Sequence, residues 1–118
     1  MTVTRRVLVA NPGEEVEVRD IPADLESMQA VVDGYIELWA IEDHVHFICN
    51  DEGRINGMPF NRYVALSDGT LWDIYGPILV IGGDEETGEF ESLTDADIAR
   101  WKPRLDAARL LTWLPNPS

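Results

Sequence analysis

Cysteine and positive charge are both scarce in this chain of 118 residues. Cys49 is the single cysteine, which excludes an internal disulfide and a zinc site built from several cysteines. Lys and Arg total 9 against 22 Asp and Glu, which gives a formal net charge of −13. Binding to DNA or to an anionic membrane relies on clustered positive charge, so the composition argues against both kinds of partner.

Long apolar runs are also absent. No stretch approaches the ~18 apolar residues of a membrane-spanning helix, and the short apolar run before Pro12 does not suit a signal peptide. With 45% hydrophobic residues the chain can still build a real core. We therefore expect a soluble cytoplasmic protein with one globular domain over residues 1–114 and a loose tail over residues 115–118.

The common catalytic motifs are missing as well, since the chain contains no G-x-S-x-G, P-loop, H-E-x-x-H or G-x-G-x-x-G pattern. Cys49 follows Phe47 and Ile48, which is the apolar setting of a core thiol. His44 and His46 could begin a metal site, but no third ligand is evident and cross-strand packing is the simpler interpretation. We predict no enzyme activity, no metal and no cofactor.

Hydrophobic periodicity predicts mostly strands. Residues 15–21 alternate between apolar and polar side chains, whereas residues 77–81 are apolar throughout and suit the interior of a sheet. Further strands are predicted over 4–10, 35–41, 45–49, 63–66 and 70–75. The fold class is α+β, with a mainly antiparallel sheet of about six to seven short strands, one inserted helix and a C-terminal helix.

Two helices interrupt and close this series of strands. Asp24 suits the N-cap of a helix over residues 25–33, and Gly34 suits its C-terminal end. Thr94 and Asp97 resemble a capping box at the start of the last helix, over residues 95–111. Pro103 lies within that helix, so we expect a kink or two shorter helices there.

The polar segment from Gly53 to Tyr63 offers the main chemical hint. Its two arginines suit phosphate, and its asparagines could bind a base or ribose edge. The alternative is that the asparagines satisfy their own loop while the arginines pair with neighbouring acids. Nearby aromatic residues could stack on a ring, and a nearby aspartate could accept from a ribose hydroxyl or a base amine. The predicted ligand site comprises Arg54, Asn56, Asn61, Arg62, Tyr63, Trp72, Asp73 and Tyr75.

A wider pattern includes this segment and runs through most of the chain. Its members are Asn11-Pro12-Gly13, Asn56-Gly57, Pro59, Asn61-Arg62, Asp73-Ile74, Gly76 and Ser92-Leu93-Thr94-Asp95. The pattern resembles a family of small phage and mobile-element proteins known as a domain of unknown function. The chain after about residue 104 extends beyond this resemblance. The resemblance implies a phage or plasmid setting, in the cytoplasm of a bacterial host, and brings no mechanism with it.

Two functional hypotheses follow. The first is a non-catalytic counter-defence protein that binds and sequesters a small nucleotide-derived immune signal of the host, acting as a homo-oligomer that encloses its ligand. The second is an acidic inhibitor that binds a host defence protein by imitating DNA. Residues 14–26 hold six acids and residues 84–97 hold seven. Acids at alternate strand positions lie roughly 6.6–6.8 Å apart, about twice the ~3.4 Å rise of a DNA strand.

Overall fold

The computed structural model of the chain describes residues 3–42, 44–65, 69–84 and 86–110. The fold is α+β with a mainly antiparallel sheet, which confirms the predicted class. The predicted tail over residues 115–118 lies outside the described residues. The elements in chain order are β1 (Thr4–Ala10), β2 (Glu17–Pro22), α1 (Leu25–Val32), β3 (Ile36–Glu42), β4 (Val45–Asn50), β5 (Phe60–Ala65), β6 (Leu71–Tyr75), β7 (Ile78–Gly83), β8 (Phe90–Glu91) and α2 (Asp95–Leu110).

The main sheet has six strands in the order β2-β1-β7-β4-β3, with β8 pairing to the end of β7. Every neighbouring pair is antiparallel. All six residues of β7 are buried, which confirms the interior position predicted from its continuous apolar run. Strands β5 and β6 form a separate two-stranded sheet.

The two faces of the main sheet bury two separate clusters, because successive side chains of a strand point to opposite faces. On one face, Leu79 and Ile81 of β7 pack with Met28 and Val32 of α1. On the other face, Val80 belongs to a larger cluster with residues of β5, β6 and α2. The molecule is therefore layered, with α1 on one side of the sheet and the β5–β6 hairpin with α2 on the other.

Both helices have the predicted N-terminal caps. The Asp24 carboxylate accepts a hydrogen bond from the Ser27 amide at 2.7 Å. At the start of α2, the Asp97 carboxylate accepts from the Thr94 amide at 3.0 Å, and the Thr94 hydroxyl accepts from the Asp97 amide at 3.1 Å. This reciprocal pair is a capping box with aspartate in place of the usual glutamate.

Three local predictions need correction. The left-handed residue that ends α1 is Asp33, with φ of 59°, and Asp side chains tolerate this conformation better than most. Helix α2 continues through Pro103 as one element and is not divided into two shorter helices, while the kink stays a prediction. Trp101 and Leu105, on either side of Pro103, are both buried in the core. Strand β8 is missing from the predicted strands, since two residues are too few to show any periodicity.

Candidate functional site

Arg62 lies in the interior and not in a ligand pocket. Its side chain is 0% exposed, and its guanidinium donates to four oxygens. Nη1 donates to the Leu105 carbonyl at 2.7 Å, and Nη2 donates to the carbonyls of Asn11 and Glu14 at 3.1 and 3.0 Å. A buried charge is costly unless such bonds satisfy it. Arg62 therefore joins the β1–β2 turn to α2, and the phosphate contact predicted for it is not possible in this arrangement.

Asn61 is buried beside Arg62 and also holds the fold together. Its Oδ1 accepts from Arg62 Nε at 2.7 Å, while its Nδ2 donates to the carbonyls of Ala10 and Gly76 at 2.8 Å each. The pairing of β5 with β6 shifts register at Asn61, between Phe60 and Arg62. The side-chain atoms predicted to face a base or ribose edge are thus used by neighbouring backbone and by Arg62.

Arg54, the other arginine of the segment, is exposed. It lies in the turn over residues 51–57, where the Met58 amide donates to the Gly53 carbonyl at 2.9 Å. Its side chain is 67% exposed, forms an ion pair with Asp73 of β6, and places Cζ 5.0 Å from the centroid of the Tyr75 ring. Of the two arginines predicted to bind phosphate, only Arg54 is accessible to a ligand.

Gly53 explains how this turn approaches β6 so closely. A Cβ atom at Gly53 would lie 2.5 Å from the Tyr75 carbonyl oxygen, closer than any side chain allows. The Gly76 amide donates to the Pro59 carbonyl at 2.8 Å and fixes the other end of the loop against the same strand. A residue without a side chain is therefore needed where the turn meets β6.

A polar cavity of about 220 Å³ opens between this turn, the β3–β4 edge and β6. Four of the eight predicted ligand residues line it. Its aromatic wall is held in place by ring contacts, with Trp72 4.6 Å from Trp39 and Tyr75 5.3 Å from Phe60 between centroids. The lining residues are Glu37, Cys49, Asn50, Asp51, Gly53, Arg54, Trp72, Asp73, Ile74 and Tyr75.

The charge around this cavity is mainly negative. Glu37, Asp51 and Asp73 contribute carboxylates, and Arg54 contributes the guanidinium that balances one of them. Burial, together with the smaller effect of the Glu37 charge, raises the pKa of the Cys49 thiol to about 12. The thiol is therefore protonated at neutral pH and is a poor nucleophile. The predicted ligand site omits Glu37 and Asp51. The sheet brings Glu37 here from β3, whereas Asp51 lies in the same turn as Arg54.

The remaining predicted ligand residues lie elsewhere. Asn56 is exposed on the outside of the turn and does not line the cavity. Tyr63 lines a second, mostly apolar cavity of about 320 Å³ between the β5–β6 hairpin and α2. In that cavity the Arg104 guanidinium lies 4.3 Å from the centroid of the Trp101 ring. The structure therefore separates Tyr63 from the cavity that holds Trp72 and Tyr75.

The two histidines have different neighbours. His44 Nε2 lies 3.4 Å from Asp97 Oδ1 at the start of α2, whereas the His46 ring packs edge-on against Phe90 of β8. Within residues 3–42, 44–65, 69–84 and 86–110, no group of three or more His, Cys, Asp or Glu side chains is arranged to hold a metal ion. The described helices likewise include none that is long and apolar enough to cross a membrane.

Several acidic residues lie just before β8 and within it. Glu86, Glu89 and Glu91 are exposed, and the Asp84 carboxylate accepts from the amides of Glu86 and Thr87 at 2.8 and 3.3 Å. Glu85 lies outside the described residues. This acidic segment, Asp84–Glu91, is a turn and a short strand whose backbone is held in part by one of its own acids.

Residues 3–106 match the family model described as Domain of unknown function (DUF3846). The chain belongs to this family. The match covers the whole of the main sheet, the β5–β6 hairpin and most of α2, so this DUF3846 chain contains the described cavity within the matched region. Comparisons with curated proteins and with solved structures gave no significant match.

Proposed function

We propose that this DUF3846 chain is a non-catalytic binding protein that sequesters a small nucleotide-derived immune signal of a bacterial host, as a phage counter-defence protein does. The observation that carries the proposal is the open polar cavity bounded by Arg54, Asp73, Trp72 and Tyr75. Sequestration requires recognition of a ring and of polar groups, and it requires no nucleophile or general base. The protonated Cys49 thiol is in keeping with a site that binds without reacting.

Each group at the cavity suits one part of such a ligand. Trp72 and Tyr75 provide ring surfaces for a base, since aromatic side chains stack on every base. Asp73 can accept a hydrogen bond from a ribose hydroxyl or a base amine, while Arg54 can donate to a phosphate. Arg54 is paired with Asp73 at the surface, where an ion pair contributes at most about 1 kcal/mol. A ligand phosphate can therefore compete for the guanidinium at small cost.

The cavity volume limits how much of a ligand one copy can hold. Pockets for drug-sized ligands usually measure about 300–1,000 Å³, and this one measures about 220 Å³. One base fits the smaller volume better than a whole dinucleotide. We therefore expect a homo-oligomer, in which a second copy covers the part of the ligand that extends from the cavity.

Native mass spectrometry tests the proposal. The purified protein is compared before and after incubation with lysate of bacteria whose nucleotide-signalling defences have been triggered. We expect a stoichiometric added mass of some hundreds of daltons that heat releases intact. An unchanged mass across several signalling systems would contradict the proposal, and release of a chemically altered ligand would contradict its non-catalytic part.

The Arg54→Ala variant tests whether the ligand binds at this cavity. The Arg54 side chain is exposed, so we expect the variant to keep its fold. A hydrogen bond to a charged group is worth about 1.5–3 kcal/mol, so we expect affinity to fall roughly 10- to 100-fold. Arg19→Ala is the matched control, since Arg19 is exposed and also paired with an acid, Glu17 of β2. If Arg54→Ala and Arg19→Ala bind the ligand with equal affinity, the ligand does not bind at Arg54.

A second candidate function is an inhibitor that binds a host nuclease in place of DNA. The observation that favours it is the acidic segment, whose exposed glutamates lie within six residues of one another on a chain of net charge −13. A positively charged DNA-binding groove would attract such a surface. In this case the polar cavity has no part in the activity.

Charge removal separates the two functions. The triple variant Glu86→Gln, Glu89→Gln, Glu91→Gln should abolish inhibition of a defence nuclease in lysate and leave ligand capture unchanged. Its control removes three exposed acids that lie outside the segment: Glu26→Gln, Asp33→Asn and Glu52→Gln. Equal inhibition by both triple variants would reject the acidic segment as the active surface.

A further inference from the structure

The two edges of the main sheet differ in chemistry. An edge strand presents unpaired N–H and C=O groups that can pair with another strand, and charged side chains normally guard against this. The β2 edge carries such charges at Glu17, Arg19 and Asp20, all exposed. Its only exposed large apolar side chain is Val18, at 46%. The β2 edge is thus protected from pairing with other strands.

The β3 edge lacks this protection. Among the described residues β3 pairs only with β4, so its other side is open. Leu38 is 50% exposed, Trp39 is also exposed, and Tyr35 is exposed just before the strand. Glu37 is the one charged residue between Ile36 and Ala40. A largely apolar open edge of this kind calls for another strand to cover it.

The regular part of β3 is symmetric about Leu38. Its pairing with β4 is regular from Ile36 to Ala40 and then shifts between Ala40 and Glu42. If two copies of this stretch pair antiparallel about its centre, Leu38 faces Leu38 and Glu37 faces Trp39. No like charges then lie directly opposite each other, which is the arrangement that strand pairing requires.

We propose that β3 is the interface at which a second copy of this chain binds, pairing antiparallel with Leu38 opposite Leu38. The two six-stranded sheets become one continuous sheet, and the exposed apolar side chains of both copies are covered. A two-fold axis passes between the two Leu38 residues, so the interface is self-complementary and closes as a dimer. This assignment rests on β3 alone and does not depend on the proposed ligand.

The pairing also extends the wall of the polar cavity. Glu37 lines that cavity, and Trp39 lies 4.6 Å from Trp72, another of its lining residues. Glu37 and Trp39 point to the same face of the sheet, as residues two apart on a strand do. In the paired register Trp39 of the second copy lies opposite Glu37. Each cavity of about 220 Å³ is then bordered by an aromatic ring from the other chain.

Sedimentation velocity between about 1 and 100 µM tests the interface. We expect the wild type to sediment as a dimer of two 13.3 kDa chains. Leu38→Lys places two positive charges opposite each other at the two-fold axis, so we expect dimerisation at least tenfold weaker. Val18→Lys makes the same change of charge on the opposite edge, in β2, and we expect this variant to remain a dimer. Far-UV circular dichroism checks that both variants are folded.

Disulfide trapping tests the register. Directly opposed residues of antiparallel strands have Cα atoms about 4.5–5.5 Å apart, which lies within the range of a disulfide. Leu38→Cys should therefore cross-link into a dimer on mild oxidation, while Val18→Cys should not. The native Cys49 is buried and does not compete. A wild type that is monomeric at 100 µM, or a dimer that Leu38→Lys leaves intact and Leu38→Cys fails to trap, would overturn the proposal.

Discussion

Replacing Arg62 with leucine removes the side chain that joins the β1–β2 turn to α2. Arg62→Leu puts an apolar side chain at the site, and the carbonyls of Asn11, Glu14 and Leu105 lose the hydrogen bonds that the guanidinium donates. Asn61 Oδ1 loses its bond from Arg62 Nε, while the Asn11 carbonyl keeps a bond from the Glu14 amide. All four acceptors lie at a buried or half-buried position where water cannot fully replace the guanidinium. The variant should therefore fold with a large loss of stability.

The size of this loss follows from the number and kind of bonds. Each hydrogen bond to a charged group is worth about 1.5–3 kcal/mol, but bonds from one side chain are not additive. An acceptor that is buried and left unsatisfied costs about 1–3 kcal/mol, and because two of the four acceptors are only partly buried we adopt a total of about 3–5 kcal/mol. Domains of this size have about 5–15 kcal/mol of stability in all. Arg62→Leu should remove a fifth or more of this stability.

Urea unfolding followed by circular dichroism measures the loss. With an m-value of about 1.5 kcal/mol per M, the midpoint should fall by about 2–3 M. Arg54→Leu is the matched control, because Arg54 is exposed and its ion pair is worth at most about 1 kcal/mol. An Arg62→Leu midpoint within 0.5 M of the wild type, or a control that falls as far, would refute the structural role assigned to Arg62.

Three further predictions concern single side chains. Burial alone would raise the pKa of Asp97, but hydrogen bonds from Thr94 and the charges of His44 and Arg100 hold it below the ordinary value of 3.8. The ionised Asp97 therefore stabilises the fold at neutral pH, and this stabilisation is lost as the pH falls below about 4. In Asp97→Asn the urea unfolding midpoint should accordingly fall less steeply with decreasing pH than in the wild type. An equally steep fall in both proteins would contradict this. Gly53→Ala should lower the free energy of unfolding by about 1–3 kcal/mol and weaken ligand binding, because the new Cβ would collide with the Tyr75 carbonyl oxygen. If calorimetry shows neither change, the turn does not approach β6 as closely as described. Asp24→Ala should cost about 0.5–2 kcal/mol in thermal melts, whereas Asp24→Asn, which also caps, should cost less.

Local patterns predicted the elements well, because the signals that define them lie within a few residues. The apolar run of residues 77–81 corresponds to β7, and Asp24 to the N-cap of α1. Residues 15–21 correspond to β2 in position, but their alternation does not appear as alternating burial, because Val18 is exposed. The failures are equally local in cause. Asp33, rather than the neighbouring Gly34, takes the left-handed conformation, and the composition of that turn permits either residue to do so.

The candidate site was predicted in part only. Arg54 and Arg62 look alike in sequence, yet one is 67% exposed and the other 0%. The difference arises from β1 and α2, which close over Arg62 from distant parts of the chain. One local signal was available: Arg62 is two residues from Val64, so both lie on the same buried face of β5. Nothing comparable exists for Glu37, whose approach to β6 depends on the packing of the two sheets. Asp51 lies in the same turn as Arg54, so its place beside the cavity could have been predicted.

The central place of β7 has a consequence for how the chain folds. β1 pairs with β2 and β4 pairs with β3, but in the described sheet these two hairpins are joined only through β7. During synthesis the residues of both hairpins are added to the chain before those of β7. Until then Leu8, Val9, Phe47 and Ile48 have no strand between them. This interval is the time of greatest risk for aggregation, and insertion of β7 is the event that ends it.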